Sequence, residues 1–212
     1  MTENSSSSRP RVAIAIVSID SAVGGRFIDT VCGGKGNEFV AEDRIIELRL
    51  IHYRPEEEGA LIRQVLDCDA AALLVNHIDA ISLENLKGAY RMLPAESALP
   101  LSILIVRAQG QMEFKMSCPA CGQKLWVRDV DSGRKGRCPH CRKTFVLPSQ
   151  TAHLKSTLMT PEMVPLITVT EGHVSKCQGP ISELAARACL QAQVLKSSTL
   201  RVQVEDSEPS SS

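Results

Sequence analysis

Residues 11 to 27 read RVAIAIVSIDSAVGGRF, and how this stretch divides decides the fold. Arg11 to Ile19 is a continuous apolar run of the length and type found in a buried strand. IDSAVGGRF, residues 19 to 27, then stands where a phosphate-binding loop would follow. Such a loop obeys GxxxxGK[ST]: backbone amides cradle the phosphates, the lysine neutralises the outer ones and the hydroxyl holds Mg2+. Laid on that pattern, Ile19 takes the first glycine, Gly25 the lysine and Arg26 the hydroxyl, so only Gly24 fits. Gly24, Gly25 and Arg26 are therefore read as a degenerate phosphate loop. A second glycine cluster, Cys32 to Asn37, carries Lys35 but follows no strand directly, and is read as a loop.

Beyond this stretch, strand-like and helix-like patterns alternate. Arg44 to His52, Ala71 to His77, Leu101 to Val106 and Val164 to Thr170 read as further strands. Glu57 to Leu66, Ser82 to Leu93 and Ser182 to Leu195 read as helices, the last with Leu184, Ala188, Ala192 and Leu195 on one face. Strands separated by helices predict an α/β sheet covered on both sides. The polar, Ser-rich ends, 1–10 and 203–212, are expected to be disordered tails.

The 212 residues, 43% apolar and 23% charged, suffice for one buried domain plus a small module. With 24 basic and 24 acidic residues, no global field marks a nucleic-acid or membrane protein. No apolar run approaches the ~20 residues of a membrane span and the N-terminus lacks a leader pattern, so a cytoplasmic protein is expected. Of eight cysteines, Cys32, Cys68, Cys177 and Cys189 are scattered through apparent core elements as buried thiols, which fits a reducing compartment.

The other four cysteines break the α/β rhythm. Residues 114–148, FKMSCPACGQKLWVRDVDSGRKGRCPHCRKTFVLP, are too poor in apolar residues for a core element. Cys118 and Cys121 form one CxxC, and Cys138 and Cys141 form another. This is the spacing of a structural zinc site, in which two turns complete a closed tetrahedron of thiolates. One Zn2+ is expected, in a structural role, because no coordination position stays open. Pro119 and Pro139 stiffen the turns, Gly122 supplies a permissive backbone, and His140 is read as a surface residue. The insert resembles short bacterial zinc ribbons, with Arg142 where a second glycine is common.

Eight basic residues (Lys115, Lys124, Arg128, Arg134, Lys135, Arg137, Arg142, Lys143) outnumber Asp129 and Asp131 in the insert. Local charge of this kind attracts phosphate backbones or an acidic protein surface. Trp126 and Phe145 are read first as the ribbon's minimal core, with base stacking as the alternative.

The remaining parts, 11–113 and 149–202, resemble Ras-like small GTPases. LRLIHYRPEEEGALIRQVLDCDAAALLVNHIDAISLENLKGAYRMLPAESALPLSILIV resembles that family's central strands, switch loop and helices. VPLITVTEGHVSKCQGPISELAARACL resembles its last strand, base-contacting turn and C-terminal helix. The resemblance implies a P-loop-type three-layer sandwich with an inserted zinc ribbon, in which every nucleotide motif is degraded. The family's DxxG becomes HYRP, with His52 and Pro55 in the key places; its NKxD becomes RAQG, Arg107 to Gly110; its last turn becomes EGH, Glu171 to His173. Without those charges GTP and Mg2+ lose their principal partners, and no catalytic residue is expected. The alternative fold is a receiver-like doubly wound α/β domain, with Asp20, Asp79 and Lys176 as its acidic and basic positions. His52, His77, His153 and His173 show no ligand or dyad spacing and are read as structural.

The resulting expectation is a non-catalytic zinc-binding scaffold or adaptor, a pseudo-GTPase that engages a partner protein through its ribbon and altered nucleotide site. The alternatives are nucleic-acid binding through Lys124, Arg128, Arg134, Lys135, Arg137, Arg142 and Lys143, and a nucleotide-binding protein with unorthodox contacts.

Overall fold

In the computed structural model, Arg11–Ser18 forms β1, and the chain turns into helix α1 (Ser21–Cys32) after only two further residues. Residues 9–75, 80–93, 99–107, 113–158, 164–170 and 173–205 are described. After α1 come β2 (Glu38–Ala41), β3 (Arg44–His52), α2 (Glu58–Leu66), β4 (Ala70–Val75), α3 (Ala80–Met92) and β5 (Leu101–Arg107). The cysteine-rich segment supplies β6 (Glu113–Ser117), β7 (Lys124–Arg128), β8 (Lys135–Arg137) and β9 (Thr144–Val146). Helix α4 (Gln150–Leu158), β10 (Leu166–Thr170) and helix α5 (Val174–Glu205) complete the order.

Six strands make one sheet in the order β10-β5-β4-β1-β3-β2, parallel except for β2, which runs antiparallel to β3 at the edge. Their apolar runs face a core on both sides, so alternate residues divide between two layers. Val12, Ile14 and Ile16 of β1 pack with Phe27 and Val31 of α1 and Ile181 and Leu184 of α5. Ala15 and Val17 pack the other way, with Leu61 and Val65 of α2, Leu86 of α3 and Leu154 of α4. The result is a mixed α/β fold of three layers, helix, sheet and helix.

Two elements lack a clear signal in the sequence. Strand β2 is four residues long, and α4 buries only Gln150, Leu154 and Leu158 along its length. Ser149 caps helix α4: its Oγ accepts the Ala152 amide at 3.1 Å. Helix α5 corrects a boundary, beginning at Val174 instead of Ser182 and running through Pro180. Proline removes one i→i−4 bond there, but Cys177, Ile181, Leu184, Ala185 and Ala188 form a continuous buried stripe on the sheet. Cys189 still packs against that cluster, but Ala192 and Leu195, expected on the buried face, are exposed.

The antiparallel β2, hairpinned to β3, does not fit the all-parallel receiver-like alternative. Of the residues that alternative relies on, Asp79 lies outside the described residues, as do His77, Ala108 to Gly110, Glu171 and both expected tails except residues 9–10 and 203–205. Lys176 is exposed on α5.

Candidate metal centre and the phosphate-loop position

The two CxxC turns are built alike. In the first, the Gly122 amide donates to the Cys118 carbonyl at 2.9 Å and the Cys118 amide to the Gln123 carbonyl at 2.8 Å. In the second, the Arg142 amide donates to the Cys138 carbonyl and the Cys138 amide to the Lys143 carbonyl, both at 3.0 Å. Each turn closes through a left-handed residue, Gly122 (φ 75) and Arg142 (φ 62). Arg142 thus holds the backbone shape for which glycine is the easier choice, at a cost set by its Cβ.

These turns bring the four Sγ atoms of Cys118, Cys121, Cys138 and Cys141 within 4.8 Å of one another. Cys118 lies 3.8 Å from Cys141, and Cys121 lies 3.8 Å from Cys138. A tetrahedron with metal–sulfur bonds of ~2.3 Å has edges of ~3.8 Å, so the set fits a metal ion of that kind. The Cys141 amide first, and then that of His140, draw the Cys138 thiol down to about 6 against desolvation. At Cys121 the Gln123 amide favours the thiolate, but desolvation and the neighbouring thiols push the group up to about 12. Four sulfurs this close cannot all ionise by themselves, and a cation between them removes that conflict. The cluster could hold a metal ion. The other four cysteines are scattered and buried or half-buried, and burial raises Cys32 and Cys68.

The two hairpins are fastened to the α/β domain. Phe114, Met116 and Val127, on one face of β6 and β7, join the same core cluster as Leu86 and Leu154. Phe114 stacks on His153 of α4 with ring centroids 5.7 Å apart, and burial followed by the Lys124 charge lowers the His153 pKa. Arg107, expected at the base-reading position, instead donates to Asp129 Oδ2 at 2.8 Å, and the Asp129 Oδ1 accepts the Gln150 amide at 2.8 Å. Burial alone would raise Asp129, but the Arg107 guanidinium and the Gln150 amide outweigh it and hold the carboxyl below its ordinary range.

The expected core role of Trp126 needs correction. Phe145 packs against the core, but Trp126 is 65% exposed. Leu125 and Val127 turn inward on β7, so the pleat sends Lys124, Trp126 and Arg128 outward together. Lys115, paired with Trp126 in register across the hairpin, places its Nζ 4.7 Å from the indole centroid. Arg128 and Arg134 share Asp131 at 2.8 and 3.2 Å. Lys124, Lys135, Arg137, Arg142 and Lys143 have no carboxylate within ion-pair distance among the described residues. Lys124, Trp126, Arg137 and Phe145 line a groove of about 560 Å³ between the hairpins.

At the end of β1 the degenerate loop is also corrected: Gly24, Gly25 and Arg26 lie inside α1. The reason is Asp20, whose Oδ1 accepts the amides of Ala22 at 2.8 Å and Val23 at 3.2 Å and caps the helix two residues after the strand. A phosphate at a helix N-terminus would use those same amides. Here the protein's own carboxylate holds them. Gly24 faces the sheet, where a Cβ would run into Leu50 Cδ1 and come within 3.0 Å of Ser18 Cβ, whereas Gly25 faces open space. Beside the cap, His52 Nε2 lies 2.7 Å from the Ile19 carbonyl and Arg54 Nε donates to His52 Nδ1 at 3.3 Å. Since arginine only donates, Nδ1 accepts and Nε2 carries the proton to Ile19. Arg54 Nη1 also contacts Glu57 at 3.1 Å. His173 is exposed at the start of α5.

Among the described residues, no helix is long and apolar enough to cross a membrane. No protein-family model matches the chain, and no curated protein matches it. Crystal structures of two SsGBP mutation variants, with serine or proline at the same glycine, are similar to 85% and 82% of it. Sequence identity is 12% and 14%, with TM-scores of 0.47 and 0.46. The chain spans 57% of the length of each of these matched chains.

Proposed function

We propose that this chain is a non-catalytic, zinc-binding scaffold: a Ras-like pseudo-GTPase domain that has given up its nucleotide and carries a zinc ribbon as an interaction surface. The observation that carries this reading is Asp20 on the amides of Ala22 and Val23, where a phosphate would have to sit. Strand order supports the Ras-like frame, since an antiparallel β2 beside β3 on a parallel β3-β1-β4-β5-β10 sheet follows the element order the resemblance implies. Arg107 is spent on Asp129 and His52 on Ile19, so two further degraded motif positions serve packing.

The four cysteines would hold one Zn2+ as a closed thiolate tetrahedron, which supplies folding energy to hairpins whose strands β8 and β9 have three residues each. A protein partner is one reading of the ribbon surface. A specific observation, the exposed Trp126 among cations, favours nucleic acid as a second. Isothermal titration of the full, zinc-loaded chain with GTP, GDP and ATP plus Mg2+ tests the central point. No binding tighter than about 1 mM is expected; saturable micromolar binding overturns the reading.

A further inference from the structure

We infer that the outward face of β7 and the adjoining groove form a binding site for single-stranded nucleic acid, with Trp126 as the stacking platform. The inference rests on the ribbon being an interaction surface, and it names the class of partner.

Trp126 is the chain's one tryptophan, and it is left 65% exposed in a module with little apolar area to bury. One exposed aromatic is no signal by itself; Trp126 is singled out because it shares its strand face with Lys124 and Arg128 and has the Lys115 ammonium over its ring. Its position is fixed by Lys115 across the hairpin. The β6–β7 pairing sets its register against Lys115, and the Lys115 ammonium stands 4.7 Å from its ring centroid. Lys124 follows on the same strand face, ~6.8 Å away by strand geometry, and Arg137 borders the groove from the second hairpin. Lys115, Lys124 and Arg137 have no carboxylate partner among the described residues. Of the two carboxylates in the groove lining, Asp131 is engaged by Arg128 and Arg134, and Glu113, two residues from Lys115 on the same face of β6, stands opposite Arg128 in register.

The chemistry selects the partner. A single strand offers a flat π-face and an anionic phosphate in every unit, and a Trp among cations takes both at once. An acidic peptide offers charge without the π-face, and a duplex keeps its base faces stacked away.

The test uses the fluorescence of Trp126 in the full, zinc-loaded chain. It is titrated with a single-stranded oligothymidylate, the same sequence as a duplex, and a poly-glutamate peptide of equal charge. The single strand should quench the emission. With Lys115, Lys124 and Arg137 each neutralising one phosphate, log K against log salt should have a slope of about −2, or about 20-fold weakening from 50 to 200 mM salt. Trp126→Ala should weaken binding about 5- to 150-fold, and Trp126→Phe should restore most of it. Lys124→Ala with Arg137→Ala should bring the slope to about −0.7. Far-ultraviolet dichroism and zinc content verify that each variant folds. The inference is overturned by no binding at 50 mM salt, by equal binding of the duplex, or by a Trp126→Ala affinity equal to wild type. Binding of poly-glutamate alone also overturns it, yet leaves the ribbon as an interaction surface; saturable Mg·GTP binding would instead strike the scaffold reading itself.

Discussion

Removing the Asp20 carboxylate perturbs the junction on which the fold and the proposed loss of nucleotide both turn. Two α1 amides depend on it, those of Ala22 at 2.8 Å and Val23 at 3.2 Å. Replacing an N-cap aspartate by alanine costs about 0.5–2 kcal/mol, and the charge at the helix N-terminus is worth about 0.3–1 kcal/mol more. The Ala22 amide is exposed and regains water, whereas Val23 is buried and regains little. Asp20→Ala should therefore lose about 1–2.5 kcal/mol. Asp20→Asn keeps an acceptor and loses only the charge, at about 0.3–1 kcal/mol. Urea unfolding with the metal held constant should rank wild type above Asp20→Asn and Asp20→Asn above Asp20→Ala, at an unchanged m value. High salt should narrow the first gap, which is electrostatic, more than the second, which is a lost hydrogen bond. Equal stability of Asp20→Ala and wild type would refute the claim that this carboxylate closes the helix end.

Four further outcomes concern other parts of the molecule. Gly25→Ala, facing solvent, should stabilise by about 0.5–1 kcal/mol through helix propensity; Gly24→Ala, crowded against Leu50 and Ser18, should be about 1–3 kcal/mol less stable than Gly25→Ala in thermal unfolding. Cys138→Ser should lose the metal, measured by atomic absorption, and open the ribbon to proteolysis near Gly133 while the dichroism of the α/β core persists. Because His153 is held below its ordinary pKa, the unfolded chain binds its proton first, so stability should be fully present above ~6.5 and fall as pH drops toward the lower native value. His153→Phe should flatten that limb of a pH series of urea midpoints. For Asp129 the same sign applies lower down: its contribution is complete above ~3.9 and lost as pH falls through its depressed native value, a loss that Asp129→Asn should abolish.

The central strands β1, β4 and β5 are readable because both of their faces are buried, so their apolar runs are continuous, as in Ile14 to Val17 and Ile103 to Val106. The metal cluster is readable because four ligands in two local turns need no knowledge of the fold. Strand β2, with three half-buried residues and an exposed Val40, and α4, with two buried leucines, carry too little apolar pattern to declare themselves. Helix α1 is hidden by a competing signal. Gly24 and Gly25 read as a loop, although Val23, Phe27 and Val31 recur at helical spacing behind a capping Asp20. Counting apolar residues puts Trp126 in the ribbon core, whereas following the pleat does not, since Leu125 and Val127 cannot face inward with it. The contact of Arg107 with Asp129 joins residues far apart in sequence and has no local signal.

Whether Asp20 closes the site to nucleotide is decided by a crystal structure of the zinc-loaded chain grown with excess Mg2+ and a non-hydrolysable GTP analogue. Asp20 is predicted to keep the amides of Ala22 and Val23, with no nucleotide at the end of β1. A triphosphate seated at the N-terminus of α1, with the Asp20 carboxylate turned away from it, would show that the site still takes a nucleotide.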